Sequence, residues 1–317
     1  MSILEFEKPI LEIETKIKEL KNSAAIKQMD VGPEIAKLEQ KLAKMKSDIY
    51  NNLTPWQKVQ IARHPHRPYS LDYIKLMMTD FVELHGDRSF ADDFAIVAGF
   101  AKINNENILV MGHQKGRDTK ENVIRNFGCA HPEGYRKAMR LMRMAEKFNL
   151  PIIVLIDTPG AYPGVGAEER GQAQAIASNL KDMIKLKVPV IATVIGEGGS
   201  GGALGIGIAD RVCILQNAYY SVISPEGCAS ILWRNSIKAP EAAKALKLTG
   251  EDLLKFGVVD EIVPEPPGGA HLDPNAVMVN LKKVLLKYIK ELNVLSKKDL
   301  LASRYKKFRE IGEFKEG

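Results

Sequence analysis

The run Ile195-Gly196-Glu197-Gly198-Gly199-Ser200-Gly201-Gly202-Ala203-Leu204 constrains this chain more than any other stretch. An apolar, strand-like segment, Val188 to Ile195, leads into it, and a helix-like segment follows. So many glycines at a strand-to-helix junction let the backbone approach a ligand closely and present bare N–H groups to it. A turn of that kind suits an oxyanion, either a phosphate or a developing enolate.

The pattern around it alternates. A helix is expected over Glu133–Phe148 and a strand over Ile152–Ile156. A glycine-rich loop, Asp157–Gly166, then leads to a helix over Glu168–Leu186, and the strand Val188–Ile195 follows. Arg211–Leu215 is a further strand, and helices are expected over Pro240–Lys247, Glu251–Phe256 and Asn275–Leu292. Continuous apolar strands between helices indicate an α/β fold with a buried sheet. Upstream, Leu71–Leu84 reads as a helix. Ala95–Ile103 and Ile108–Gly112 read as two strands joined at Asn104-Asn105.

The ends differ from the middle. Ile10, Ile13, Ile17, Leu20 and Ala24 keep helical spacing, as do Ile35, Leu38, Leu42, Met45 and Ile49, and Asp30-Val31-Gly32-Pro33 breaks the two runs. This predicts an antiparallel helical hairpin over residues 1–60, self-packed or serving as a docking arm. His64-Pro65-His66-Arg67-Pro68 reads as a rigid linker. The net charge of +6 is concentrated: Leu281–Gly317 holds 11 Lys and Arg against 5 Asp and Glu, which leaves the remainder neutral. Residues 271–317 are therefore a basic helical tail, either a solvated helix face or a contact for acidic protein, nucleic acid or CoA phosphates. Residues 61–270 are the main domain.

Composition narrows the class. Hydrophobic content of 45% and charged content of 26% are ordinary for a soluble protein. No apolar run reaches the roughly 20 residues a bilayer requires, and Met1–Leu11 lacks a signal-peptide core, so a cytoplasmic location is expected. Cys129, Cys213 and Cys228 form no CxxC pair, so neither a disulfide framework nor a metal site is expected.

Several motifs overlap in the glycine turn. Gly196-x-Gly198-x-x-Gly201 matches the dinucleotide fingerprint, but Leu215-Gln216-Asn217-Ala218 lacks the acidic residue that pairing needs. A phosphate loop needs Lys after the last glycine, where Ala203 stands. Gly198-x-Ser200-x-Gly202 matches a nucleophile elbow, with Asp260 and His271 in the right chain order, but four residues separate Ile195 from Ser200. Glycines serving only close helix–strand packing are a further reading. An oxyanion hole of backbone amides at the start of a helix near Gly201 fits best. In the first loop, Asp157 reads as a strand-end cap, and Glu168 and Glu169 as helix-start acids. Lys115, Arg117 and Lys120 follow a strand end and read as a solvated basic loop or an anion contact. Arg136, Lys137, Arg140 and Arg143 share one helix, where structural pairing is expected. His113 and His131 are candidate acid–base groups, and Tyr162, Ile223 and Trp233 are candidates for a pocket wall or the core.

At these residues the chain resembles the carboxyltransferase alpha subunits of bacterial multi-subunit acetyl-CoA carboxylase. The resemblance rests on Ala62-Arg63-His64-Pro65, Glu83-Leu84-His85-Gly86-Asp87-Arg88 and Gly112-His113-Gln114-Lys115-Gly116-Arg117-Asp118. It continues through Arg125-Asn126-Phe127-Gly128, Pro132-Glu133-Gly134-Tyr135, the Asp157–Gly164 loop and the Glu197–Leu204 turn. Tyr220–Cys228 and Gly268-Gly269-Ala270-His271 complete it, so that it covers nearly the whole chain. It implies a crotonase-like ββα spiral core between the hairpin and the tail. It implies transfer of a carboxyl group from carboxybiotin, held on a biotin carboxyl carrier protein, to acetyl-CoA, giving malonyl-CoA for fatty acid synthesis. Two oxyanions arise, on the ureido group and the thioester, so two amide cradles are needed and no side chain must act as a strong base. By the resemblance, Gly201 and Gly202 serve the biotin oxygen. Gly164, Val165, Gly198, Gly199, Tyr162, Lys115 and Arg117 line the substrate site. A beta subunit with a zinc ribbon supplies the other half of an α2β2 heterotetramer, and biotin carboxylase and ATP binding belong to the same association. No metal is expected in this chain. A non-catalytic scaffold and a stand-alone acyl-CoA hydratase or hydrolase are the alternatives.

Overall fold

A computed structural model describes residues 4–27 and 31–312. Helices α1 (Lys8–Lys27) and α2 (Gly32–Asn51) form the expected N-terminal hairpin. Ile10, Ile13 and Ile17 are buried along one stripe, while the α2 stripe is half-buried. Asp30, in the expected break, lies outside the described residues; Pro33 opens α2. Helix α3 (Pro55–Ala62) starts at a reciprocal cap: Thr54 accepts from the Gln57 amide, and the Gln57 side chain accepts from the Thr54 amide.

The expected helix over Leu71–Leu84 stops early. Helix α4 (Ser70–Met77) gives way to strand β1 (Thr79–Glu83), which pairs antiparallel with β2 (Ile96–Ile103). Thr79, Phe81 and Val82 favour a pleated ribbon, and an open sheet edge supplies the partner, so tertiary pairing overrides the helical spacing. Strand β3 (Glu106–His113) returns from β2 through Asn104-Asn105, with Asn104 at φ 52°. Then come α5 (Thr119–Ile124), α6 (Pro132–Lys147), β4 (Ile152–Thr158), α7 (Val165–Glu169), α8 (Gln172–Met183), β5 (Val190–Gly199) and α9 (Ser200–Gly207). The single helix expected over Glu168–Leu186 is thus two, broken where Gly171 turns left-handed at φ 82°. The chain continues with β6 (Arg211–Leu215), β7 (Tyr219–Ser221), α10 (Pro225–Trp233), α11 (Ala239–Leu246), α12 (Gly250–Lys255), β8 (Glu261–Val263), α13 (Pro274–Asn293) and α14 (Lys297–Glu310).

The strands form one sheet in the order β1-β2-β3-β4-β5-β6-β8, antiparallel through β3 and parallel thereafter. Every residue of β4 and β5 is buried. Strand β5 changes partner along its length: Ile191–Val194 pair with β6, and Glu197–Gly199 pair with β7. The sheet therefore splits at the carboxyl end of β5, where ligands enter sheets of this class.

Two buried arginines fasten the periphery. Arg67 donates to Glu265 at 2.8 and 2.5 Å and to the Ile195 carbonyl at 2.7 Å. The segment 64–68 is therefore not a linker but a brace against β5, its one long cation fully withdrawn from water with a bidentate partner. Arg304 on α14 donates to both Asp210 oxygens and to the carbonyls of Met183, Leu186 and Val188. The last helix is thus pinned to the core by this buried charge together with Leu300 and Phe308. Among the described residues, no helix is long and apolar enough to cross a membrane.

Candidate active site

Strand β5 runs through Gly199 with no intervening loop, and α9 begins at Ser200. Ser200 carries the turn at φ 50°, an uncommon conformation for a residue with a side chain. The glycines around it do different work. A Cβ on Gly196 would lie 2.5 Å from Asp157 Oδ1, and one on Gly199 would lie 2.8 Å from the Thr158 carbonyl oxygen and closer still to Pro159. A Cβ on Gly202 would lie 2.5 Å from the Ala161 nitrogen and would overlap Gly160. These three are glycine because the Asp157–Gly164 loop lies directly on them. Gly201 is different: a Cβ there meets nothing nearer than Ile176 at 3.7 Å.

Ser200 and Gly201 open onto a cavity of about 680 Å³. Leu204, Ile208 and Val212 form one wall, Tyr220 and Val222 another, and Phe308 and Ile311 close the far side. The lining is mostly apolar; its polar groups are this helix start and the side chains of Tyr220 and Ser221. The first amides of α9 lack intrahelical acceptors, and Gly199 offers no side-chain cap, so the positive end of the helix meets a dry wall. Such a site suits an apolar ring bearing one anionic oxygen.

Behind the turn lies a buried ionic network that the sequence reading missed. Lys115 Nζ donates to Asp157 Oδ1 at 2.6 Å and to Glu197 Oε1 at 2.9 Å. Arg63 Nε donates to Glu197 Oε2 at 2.7 Å and its Nη1 to Glu226 at 2.5 Å, while the Tyr219 hydroxyl donates to Glu197 at 2.6 Å. Asp157 Oδ1 also accepts the Glu197 amide at 2.9 Å, which ties the end of β4 to the end of β5. Burial opposes ionisation of Glu197, but Lys115, Arg63 and the Tyr219 hydroxyl hold its pKa down at about 2. Burial likewise works against the Lys115 ammonium, yet Asp157 and Glu197 raise its pKa above the ordinary lysine range. The available signal was the pair of chain-distant acids, Asp157 and Glu197, each at the end of an apolar strand.

Several expected site residues are elsewhere. Lys115 is committed to that network and is 12% exposed, so it faces no phosphate. Arg117 donates to the carbonyls of Pro65 and Arg67, pairs with Asp72 and lies 3.9 Å over the Tyr69 ring. Gly198 and Gly199 are buried ladder residues opposite β7, not cavity wall. Gly164 and Val165 do not line the cavity, and Val165 is exposed at the start of α7. Tyr162 stacks on His131, with ring centres 4.1 Å apart, and neither it, Ile223 nor Trp233 reaches the cavity wall. His113 is fully buried, and burial, with Lys115 nearby, lowers its pKa to about 3 against a weak backbone contact at Gly202 that acts the other way. It is neutral and shut off from solvent. Gly201 lines the cavity and Gly202 sits buried beside it, as helix-start neighbours.

The rival motifs can now be weighed. Gly196–Gly199 are strand, not loop, so no dinucleotide turn exists. Ser200 does follow the strand directly, as an elbow requires, which removes the spacing objection. Yet none of the described residues hydrogen-bonds to the Ser200 hydroxyl. Asp260 is engaged by the Val212 amide and Lys307, and His271 stacks on His64 at 3.9 Å. No base serves that hydroxyl. Among the described residues, no group of three or more His, Cys, Asp or Glu is placed to hold a metal.

Comparison with known proteins agrees with the geometry. Residues 3–312 match the family model described as acetyl co-enzyme A carboxylase carboxyltransferase-like. The acetyl-coenzyme A carboxylase carboxyl transferase subunit alpha of Thermus thermophilus is 58% identical over 313 residues, covering 99% of each chain. The protein of the same name from Geobacter metallireducens is 57% identical, over 99% of this chain and 98% of its own. Among solved structures, transcarboxylase 12S superposes with a TM-score of 0.57 at 22% identity, over 76% of this chain and 46% of that one. A Pseudomonas malonate decarboxylase chain gives 0.56 at 15% identity, over 66% of this chain and 84% of its own. These two likenesses bear out the crotonase-like α/β fold.

Proposed function

Because the chain belongs to the acetyl co-enzyme A carboxylase carboxyltransferase-like family, we propose that it is the alpha half of a carboxyltransferase that moves a carboxyl group from carboxybiotin to acetyl-CoA. The observation that carries the chemistry is the uncapped start of α9, open at Gly201 onto an apolar cavity. Carboxybiotin, when bound, would supply the activated carboxyl group and would present an anionic ureido oxygen to be stabilised. The residues fit such a group: the aliphatic wall of Leu204, Ile208 and Val212 shields the ring, and we assign the amide of Gly201 on the wall, with that of Gly202 buried beside it, as donors for the oxygen. In a dry cavity one such donor is worth about 2.7–4 kcal/mol to the transition state. The ionic network behind the turn holds the ends of β4 and β5 together, so the amides need not reorganise as charge develops.

The relatives are named as subunits, and this chain holds one cradle of the two required. We assign the second to a homologous beta subunit, with the biotin carrier protein visiting the shared site. Val222, Ile231, Leu232 and Ile237 are exposed around α10, continuous with the cavity through Val222. Exposed apolar surface of this extent marks a contact, and we place the beta subunit there. The hairpin over residues 1–60 is a second docking arm. ATP binding fits the biotin carboxylase of such an enzyme rather than this chain.

The test is the reverse reaction. This chain with its beta partner should convert malonyl-CoA and biocytin to acetyl-CoA and carboxybiocytin, and neither chain should do so alone. A scaffold would show no dependence on Gly201 or Gly202, and a hydratase or hydrolase would act on an acyl-CoA without the partner.

A further inference from the structure

A second cavity, of about 640 Å³, opens where the β1–β2 connection meets α6 and α8. Its wall carries Arg88, Arg136, Arg140 and Arg143 against Asp87 and Asp182. Two of the cations are neutralised: Arg136 donates to Asp87 at 2.7 Å, and Arg143 pairs with Asp182. Asp87 is further satisfied by the amides of Ser89, Phe90 and Ala91. Arg88 and Arg140 remain. Arg88 donates to the His85 carbonyl at 2.9 Å, and Arg140 to the carbonyls of Gly86 and His85 at 3.1 and 3.2 Å. Neither has a carboxylate at ion-pair distance among the described residues. Burial and the neighbouring Arg88 pull the Arg140 pKa below its ordinary value, against the opposing charges of Asp87 and Asp92.

A third source of positive potential faces the same space. Helix α8 is twelve residues long and begins at Gly171, which lines the cavity and provides no side-chain cap. Its first-turn amides are therefore open donors at the positive end of the dipole. Planar guanidinium groups present paired donors that match two oxygens of a phosphate.

We propose that this cavity is an anion site for a phosphate or diphosphate group, held by Arg88 and Arg140 with the start of α8. The inference stands apart from the transfer site at α9. Only if the group belongs to coenzyme A does it rest on the proposed function; free pyrophosphate carries the same chemistry without that premise.

The experiment is calorimetric titration of the full chain, co-purified with its carboxyltransferase partner, using pyrophosphate and coenzyme A as separate probes at low salt. Pyrophosphate is expected to bind, and the Arg88→Gln/Arg140→Gln double variant to lose at least about tenfold in affinity. The exposed control Lys298→Gln/Lys306→Gln, which removes the same two positive charges away from the cavity, should lose little. Binding of both probes with the same loss supports a site for the shared diphosphate. Coenzyme A binding alone, lost in the double variant, supports the coenzyme as the source. If the double variant does not fold, Arg88→Gln replaces it: that side chain is exposed and makes one local hydrogen bond, so its loss should weaken binding severalfold. No heat with either probe, or affinity unchanged in the variants, overturns the proposal.

Discussion

The two sides of the β5–α9 turn are built on opposite principles. In front, Ser200 and Gly201 face a mostly apolar cavity with no charged side chain in its wall. Behind, Asp157, Glu197 and Lys115 pack charge on charge largely out of solvent, with half-buried Arg63 at the edge, and the Asp157–Gly164 loop presses on Gly196, Gly199 and Gly202. The front can be soft because the back is rigid. A hydrogen-bond donor that must not move during reaction needs its stiffness supplied from elsewhere, and here it comes from ion pairs and close backbone contact across two strand ends.

The largest effect should come from the back. Lys115→Met removes the one cation that touches both Asp157 and Glu197: Asp157 is left buried with no cation beside it, while Glu197 keeps Arg63 and the Tyr219 hydroxyl. Urea unfolding is expected to show a loss of about 3–5 kcal/mol, the usual consequence of breaking a buried pair on one side. A loss under about 1 kcal/mol would mean that the network is solvated in solution and that the rigidity argument fails. Gly202→Ala follows. Its methyl group meets main chain at Gly160 and Ala161, which cannot swing aside as a side chain would. Overpacking of that kind costs about 1–3 kcal/mol, and carboxyl transfer should fall with stability.

Gly201→Ala separates the two sides most sharply. The added methyl has room, and alanine favours a helix over glycine, so stability should stay level or rise by up to about 1 kcal/mol. Transfer from biocytin should nevertheless slow by roughly 10- to 100-fold, because the methyl stands where the oxygen must approach the amides. Unchanged transfer in a stable Gly201→Ala variant would move the anion cradle off this helix start.

Much of this arrangement was legible in the amino-acid pattern, and the omissions have physical causes. The apolar runs of β4 and β5 stand out because both faces of each strand are buried, and the glycine turn stands out because close backbone approach excludes side chains. The glycines could not be sorted by function, since Gly201 and Gly202 differ only in what a distant loop places beside them. Lys115 resembles a surface cation in sequence, because its partners are 42 and 82 residues away. The same blindness made the His64–Pro68 segment look like a linker: the buried partner of Arg67 is Glu265. Local patterns gave the strands and the hairpin, while charge pairing across the chain had to be seen folded.

The smallest expected effect tests how dry the back is. Burial, with Lys115 adding to it, lowers the His113 pKa from an ordinary 6.5 to about 3. The folded state therefore keeps this ring neutral where the unfolded chain protonates it. Its contribution to stability is complete above about pH 6.5 and is lost as pH falls toward 3, with a slope of at most about 1.4 kcal/mol per pH unit. His271, lowered to about 4 by burial and by its neighbours His64 and Arg67, acts with the same sign. Glu197 enters only below about pH 4.5, because its pKa is held near 2. Between pH 6.5 and 5, then, the histidines dominate the slope among these three groups. Urea midpoints measured across that window should fall with acid, and His113→Gln should flatten the decline relative to the unaltered chain. A parallel decline in both proteins would show that water reaches His113, and that the wall behind the turn is more open than its packing indicates.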